Sequence, residues 1–291
     1  MMENTLAFAI ELFENTTRSR VHTIRLLEGG TANDIYFINL SYVLRIRKEN
    51  KTDAEFYEPP QELAILKKAS SLITPDLMAY DPTNGNMLTR YVRPGEMKDE
   101  KDATFRLYRS LMSSLKILHA IDMGKENISP FMANARFLSY KIASETSFDE
   151  HYENRIVQEA LLAMGRYPTV ICHNDLHKGN FLFDPVSDSV KLLDFEFASL
   201  NSEIFDVASV FSENNIEGRL KERLTLAYFG ANNVTNQLNE DIDWVVAFQD
   251  LLWYYWAMAR YKETLSQSFL DIAKEKMGRI RRRMRSGQKK N

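Results

Sequence analysis

Cysteine is nearly absent from this 291-residue chain. Cys172 stands alone, so no disulfide can form within the chain, and a reducing compartment is expected. Long apolar runs are missing too. No stretch approaches the ~20 uninterrupted apolar residues that a membrane-crossing helix needs. The opening residues, MMENTLAFAIELFENTTR, place acids inside their apolar stretch and lack the basic start of a signal peptide. Charge of one sign is scarce: 37 Lys and Arg against 40 Asp and Glu give a net charge of −3, which argues against a nucleic-acid binder with a wholly basic surface. There is no internal repeat, and no low-complexity segment outside the C-terminal tail. What is present is the composition of a soluble globular protein, 44% hydrophobic and 26% charged, long enough for one large core or two smaller ones. A cytoplasmic protein is expected.

The first third reads as short strands with one helix. HTIRLLEGG (22–30), DIYFINL (34–40) and YVLRIRK (42–48) are β-branched or aromatic and separated by turn-length gaps. Pro59 and Pro60 suit a helix start, and Leu63 and Leu66 are spaced to share a helix face. LMAYD and NMLTRYV follow, joined through PTNG, where Asn84-Gly85 signals a hairpin. RPGE (93–96) breaks this pattern. Beyond it, 102–121 and 154–167 carry apolar residues at helical spacing, TVICHND reads as a strand entering a loop, and the chain from about 205 to 285 is mostly helical. The expected organisation is a small lobe over 1–92, a hinge at 93–96 and a larger α-rich lobe over 97–291.

Just past the middle, ICHNDLHKGNFLFD (171–184) gathers polar and ionisable groups among strongly apolar neighbours, and VKLLDFEFA (190–198) does the same with Asp194 and Glu196. Buried polar groups cost free energy unless they are partnered, so such clusters call for a purpose. Asp175 is followed by Asn180 five positions on, and by Asp194 fourteen beyond that. Mg²⁺ takes hard oxygen ligands, usually one or two carboxylates completed by phosphate oxygens and water. Asn180 and Asp194 offer such oxygens, which leaves Asp175 to orient an attacking hydroxyl and accept its proton. Either segment alone would pass for an acidic turn.

Together, H-x-D-x-x-x-x-N (His173, Asp175, Asn180) and a strand ending in D-F-E (Asp194, Phe195, Glu196) resemble the signature of the aminoglycoside phosphotransferase and choline kinase-like superfamily. The resemblance organises nearly the whole chain. It implies an α+β, two-lobed protein-kinase-like fold, with a small N-terminal antiparallel β lobe holding one helix and a larger, mainly α-helical C-terminal lobe. It also implies an ATP- and Mg²⁺-dependent kinase of a small molecule. Asp175 is then the catalytic base, Asn180 and Asp194 the metal ligands, and Glu196 a neighbour of the metal or its waters. His173 braces the loop rather than reacting, and His177 is dispensable. Gly29 and Gly30 would let backbone N–H groups approach the ATP phosphates, with Thr31 and Asn33 adding donors. The chain reads G-G-T-A-N where choline kinase-like proteins often read G-G-x-T-N, with the threonine one place early. In YVLRIRK, Tyr42, Leu44 and Ile46 share one face and Val43, Arg45 and Arg47 the other. The family's phosphate-contacting base on this strand matches Arg45, with Glu62 or Glu58 as its acidic partner. The adenine contacts are expected near LTRYV.

The superfamily phosphorylates choline, ethanolamine, thiamine, aminoglycosides and sugars, so the fold leaves the acceptor open. Trp253 and Trp256 stand three apart in DLLWYYWAMARYKE and so share a helix face. Such stripes are commonly core, but choline kinases carry a W-x-x-W pair in a similarly placed helix, and a quaternary ammonium is held by aromatic faces plus a carboxylate. In DFEFASLNSEIFDVASVFSE, Asn201, Asp206 and Glu213 match the choline kinase pattern. Glu213 then faces the ammonium and Asp206 braces the catalytic loop. Phe197 replaces the family's cage tyrosine, keeping the ring and losing the hydroxyl. The expected product is phosphocholine. The competing readings are another alcohol acceptor of the superfamily, an inactive kinase fold used for binding, and a protein kinase. The tail KEKMGRIRRRMRSGQKKN reads as a solvated helix end with a frayed terminus rather than a contact for anionic lipid or nucleic acid.

Overall fold

A computed structural model describes residues 2–27, 33–48, 52–95 and 102–288. The N-terminal elements are α1 (Met2–Thr17), β1 (Ile24–Leu27), β2 (Asn33–Ile38), β3 (Tyr42–Arg47), α2 (Pro59–Lys68), α3 (Ser70–Ile73), β4 (Leu77–Tyr80) and β5 (Met87–Arg90). Then come α4 (Ala103–His119), α5 (Ala133–Ser144), α6 (Glu150–Met164), β6 (Thr169–Cys172), β7 (Phe181–Asp184), β8 (Ser189–Leu192) and β9 (Ser199–Ser202). Four helices close the chain: α7 (Glu203–Glu213), α8 (Gly218–Phe229), α9 (Asn236–Thr264) and α10 (Gln267–Gln288). The chain divides into two compact units, Met1–Asn50 with Tyr57–Ile128 and Gly179–Ala198, and Lys51–Phe56 with Ser129–Lys178 and Ser199–Asn291.

The first unit is built on an antiparallel sheet in the order β1-β2-β3-β5-β4. Strand alternation sends Tyr36, Ile38, Leu44, Ile46 and Leu88 into a core with Ala9 and Phe13 of α1, and leaves Arg45 on the opposite face, as the sequence pattern predicts. Helix α1 is an addition to the sequence reading. Its Ala9 and Phe13, four residues apart, form the stripe that covers the sheet, and burying Phe13 contributes about 1.5–3 kcal/mol. The β4–β5 connection needs its glycine. Gly85 has φ +80°, and a β-carbon there would stand 1.9 Å from Tyr57 Oη.

The 93–96 segment expected as a hinge begins inside the first unit, and its last residue, Glu96, lies outside the described residues. The Gly95 amide donates to the Phe183 carbonyl (3.2 Å), and a β-carbon on Gly95 would meet Pro185 Cδ at 2.1 Å. Helix α4 stays with this unit because it packs on the β7–β8 hairpin. Ser114 Oγ donates to the Val190 carbonyl (3.0 Å), and Arg106 pairs with Asp188 (2.9 Å).

The second unit is organised around α9, 29 residues and ~43 Å long. Contacts with α5, α6, α7 and α10 bury Val245, Phe248, Leu251, Leu252 and Tyr255 on several sides of it, so α9 shows no single apolar stripe. Thr235 caps its start by accepting from the Leu238 amide (3.1 Å). Strands β6 and β9 form a short ladder beside α7, whose residues from Ile204 to Ser212 are buried. Residues 52–56 also belong here. Asp53 accepts from Tyr140 Oη (2.6 Å) and Thr52 Oγ1 donates to Glu263 (2.8 Å). Burial, reinforced by Asp206 and Glu203, pushes the Cys172 thiol well up, so the sole cysteine is an inert core residue. No described helix is long and apolar enough to cross a membrane.

Candidate active site

Two polar clusters carry the residues singled out in the sequence, one in each unit. In the first unit the β3 guanidinium of Arg45 is only 3% exposed, with both Nη atoms engaged and its buried Nε left without a hydrogen-bond partner among the described residues. It makes a two-pronged contact with Glu62 of α2, Nη1 to Oε1 and Nη2 to Oε2, both 2.7 Å, and Nη2 also donates to the Gly85 carbonyl at 2.9 Å. Its Nη1 reaches Asp194 Oδ1 as well, at 2.7 Å. Glu62 is therefore the acidic partner, and Glu58 is an exposed residue at the N-cap of α2. Tyr57 (2.8 Å) and Tyr80 (2.6 Å) also donate to Glu62 Oε2. Burial alone would raise the Glu62 carboxyl, but the Arg45 charge and the three side-chain donors outweigh it and hold the group below its usual range. Burial works against the Arg45 charge in the same way. Glu62 and Asp194 overcome it, and the guanidinium is held well above its ordinary value.

Asp194 follows β8 in the left-handed region at φ +55°, a conformation that costs a non-glycine residue of order 1 kcal/mol. The β7–β8 register pairs Phe181 with Leu192, and the Leu193 amide donates to the Asn180 carbonyl (2.8 Å). This ties Asn180 to the segment bearing Asp194 at one end of the hairpin. Asn33 Nδ2 lies 3.4 Å from Asp194 Oδ2. Asn180 is buried, while the Asp194 side chain is 28% exposed. An amide oxygen and a carboxylate carried at one end of the hairpin are hard donors of the kind that Mg²⁺ takes. Glu196 is engaged by Arg47 at 2.7 Å, and that guanidinium lies over the Tyr57 ring at 3.3 Å. Phe197 is buried. Gly29, Gly30 and Thr31 lie outside the described residues.

In the second unit the loop after β6 is held by α7. Asp206 accepts from the amides of His173 (2.8 Å) and Asn174 (2.7 Å), and Ser209 Oγ accepts from the Leu176 amide (3.1 Å). Asp206 and Ser209 stand three residues apart and so present one helix face to the loop. Asn174 sits at φ +67° and is fully buried, with Nδ2 donating to Ser199 Oγ (3.0 Å) and Oδ1 accepting from Asn201 (2.8 Å). His173 Nδ1 accepts from the Asp175 amide at 3.4 Å, so His173 and Asp206 both fall where bracing residues belong. Asp175 itself is half-buried, with His177 Nε2 at 3.7 Å from Oδ2. Asn174 escaped the sequence reading, because only its φ and burial distinguish it from an ordinary loop asparagine.

Trp253 and Trp256 meet edge to face with centroids 5.8 Å apart. Trp256 also packs on Phe269 (5.5 Å) and donates from Nε1 to Asp53 (3.1 Å). Glu213 is ion-paired with Lys276 at 2.5 Å. This differs from the expectation of a solvated basic helix end. Lys276 and Arg279 of α10 are buried, because Asp250, fully enclosed on α9, draws both inward. Burial raises the Asp250 carboxyl, with Lys276, Arg279 and Arg283 opposing the shift. The tail beyond Gln288 lies outside the described residues.

The family model described as the phosphotransferase enzyme family matches residues 23–242, well over half of the chain. The chain belongs to that family. A probable ethanolamine kinase of Arabidopsis thaliana is 28% identical over 240 residues, which is 73% of this chain, and the chain spans 62% of that relative's length. A choline/ethanolamine kinase family protein of Mesorhizobium loti, 20% identical, matches with a TM-score of 0.76 over 97% of this chain and 94% of its own. The choline kinase LicA of Streptococcus pneumoniae, 18% identical, matches at 0.73 over 96% and 99%. The α+β, protein-kinase-like fold expected from the motifs is the fold of this chain.

Proposed function

We propose that the protein is an ATP-dependent kinase of small alcohols that prefers choline and releases phosphocholine. The observation that carries this reading is the buried Arg45–Glu62 pair joined to Asp194, beside Asn180. An always-charged guanidinium locked by a carboxylate is a preorganised anion contact, and it stands next to a pair of oxygen donors suited to Mg²⁺. Arg45 then holds the ATP phosphates, with Gly29, Gly30, Thr31 and Asn33 covering them and 93–96 as the hinge between nucleotide and substrate lobes. Asn180 and Asp194 would hold Mg²⁺, with Glu196 close by, and the ion would neutralise charge on the β- and γ-phosphates. Asp175 aligns the acceptor hydroxyl and takes its proton as that oxygen bonds to the γ-phosphorus, the bridging bond breaks and ADP leaves.

For the acceptor, Trp253 and Trp256 offer two perpendicular ring planes, and these suit a trimethylammonium group that has no N–H to donate. Lys276 takes part of the charge of Glu213, which leaves the rings more of the discrimination. A primary ammonium needs carboxylate acceptors, so this pairing favours choline over ethanolamine, the acceptor suggested by the name of the Arabidopsis relative. Steady-state turnover with Mg²⁺ and ATP against choline, ethanolamine, thiamine and kanamycin tests the reading. Choline is expected to give the highest kcat/KM, and Trp256→Ala to raise its KM by about ten-fold or more. A preferred acceptor that is indifferent to Trp256→Ala would overturn the choline assignment.

A further inference from the structure

Residues 52–56 fall between β3 and α2 in the chain, yet they belong to the second unit, and no motif of the proposed catalytic site includes them. Side chains of α5 and α9 hold them there. Thr52 Oγ1 donates to Glu263 of α9 (2.8 Å), and Glu55 accepts from Ser139 of α5 (2.6 Å). The Phe56 carbonyl accepts from Arg136 Nη2 (3.1 Å), and that guanidinium lies 4.4 Å from the centre of the Phe56 ring.

Asp53 is the buried member of the segment, 3% exposed. Its Oδ1 accepts from Tyr140 Oη (2.6 Å) and its Oδ2 from Trp256 Nε1 (3.1 Å). Tyr140 is fully buried, so one oxygen is anchored in the core while the other holds the indole. Trp256 otherwise meets only rings, Trp253 at 5.8 Å and Phe269 at 5.5 Å. Apolar packing tolerates an indole turned over about its long axis, whereas a single polar group with one acceptor does not. The N–H is the only polar group of the ring, so its acceptor selects the orientation. A neutral acceptor would orient the ring equally well, and burying a carboxylate is costly. What the carboxylate adds is electrostatic. An N–H that donates to an anion leaves more electron density on its ring, and a richer ring face attracts a cation more strongly. Trp256 is half-buried, so part of its surface stays open to a ligand.

We propose that Asp53 is a positioning and specificity residue for the acceptor. It fixes the orientation of Trp256 and, through the indole N–H, sets how strongly that ring holds a quaternary ammonium. The proposal rests on the choline reading above and adds to it a residue from a segment that carries none of the motifs.

Isothermal titration of the full chain with choline, without ATP, tests it on wild type, Asp53→Asn, Trp256→Phe and the double variant. Asp53→Asn keeps the shape and an acceptor oxygen and removes the charge. It should weaken choline binding by about five-fold, and in turnover should raise KM for choline by a like factor with KM for ATP within about two-fold. In the Trp256→Phe background, which has no N–H to hold, Asp53→Asn should change choline affinity by less than about two-fold. Equal losses in both backgrounds would assign Asp53 a merely structural role and overturn the proposal, as would choline affinity unchanged by Asp53→Asn. The wild-type chain gives a second test that needs no Asp53 variant. The indole N–H signal of Trp256 in ¹⁵N-resolved NMR, assigned by its loss in Trp256→Phe, should exchange slowly with solvent and shift when choline is added. Fast exchange, or no response to bound choline, would also overturn it. Wild type that binds no choline would instead defeat the choline reading, whereas wild type that binds choline and loses it in Trp256→Phe but not in Asp53→Asn would defeat this proposal alone.

Discussion

Glu62 accepts four hydrogen bonds, two from the charged fork of Arg45 and one each from Tyr57 and Tyr80. A carboxylate so placed links stability to pH with a definite sign. Its folded pKa lies below the ordinary 4.5, so the stability it contributes is complete above about 4.5 and is lost as pH falls from there toward the depressed folded value. Glu62→Gln is expected to cost about 3 kcal/mol at neutral pH by breaking a buried pair. In thermal melts the gap between wild type and variant should stay level from neutrality down to about pH 5 and close below it. A gap that widens on acidification would contradict the assignment. The sequence left Glu58 and Glu62 open because their four-residue spacing places both on one face of a helix whose start was uncertain. Burial chose between them. Gly85 was legible as a turn residue, whereas its contact with Tyr57 was not. Gly85→Ala should lower stability by about 1–3 kcal/mol through the positive φ and the displaced tyrosine, measured by urea unfolding.

Among elements, α7 is the most informative. It carries Asp206 and Ser209 toward the loop of His173 to Leu176 and satisfies three of its amides. Removing the Asp206 carboxylate leaves two buried N–H groups without their acceptor, so Asp206→Ala should cost about 2–4 kcal/mol. Turnover should fall with it through a misplaced Asp175, seen as a lower kcat in the fraction that remains folded. The resemblance to the choline kinase pattern made this brace readable, since it implies that Asp206 braces the loop. Two other elements were not readable. Helix α1 hides behind acids that interrupt its apolar stretch, although Ala9 and Phe13 lie on one face. The unit to which α4 belongs depends on its packing against β8, a long-range contact that no local pattern encodes.

For the whole molecule, the basic run near the C-terminus shows the limit of composition. Charge runs usually mark solvated faces, yet Lys276 and Arg279 turn inward because α9 buries Asp250 opposite them. The polar motifs are legible in a different way, since the proposed phosphate site draws on particular oxygens and cations at set spacings, which a sequence displays where it does not display a packing arrangement. The same chemistry sets a further expectation. Chelating divalent metal should abolish turnover and leave the melting temperature little changed, because Arg45 pairs with Asp194 without a metal. Restoring Mg²⁺ should restore the rate.

The central claim is tested most directly at Asp175. Turnover and ATP affinity should be measured side by side for wild type and Asp175→Asn, using whichever alcohol is the best acceptor. The proton-accepting role predicts a kcat lower by about 10²–10⁴ with ATP affinity within about two-fold. Turnover near wild type in that variant would contradict the proposed mechanism.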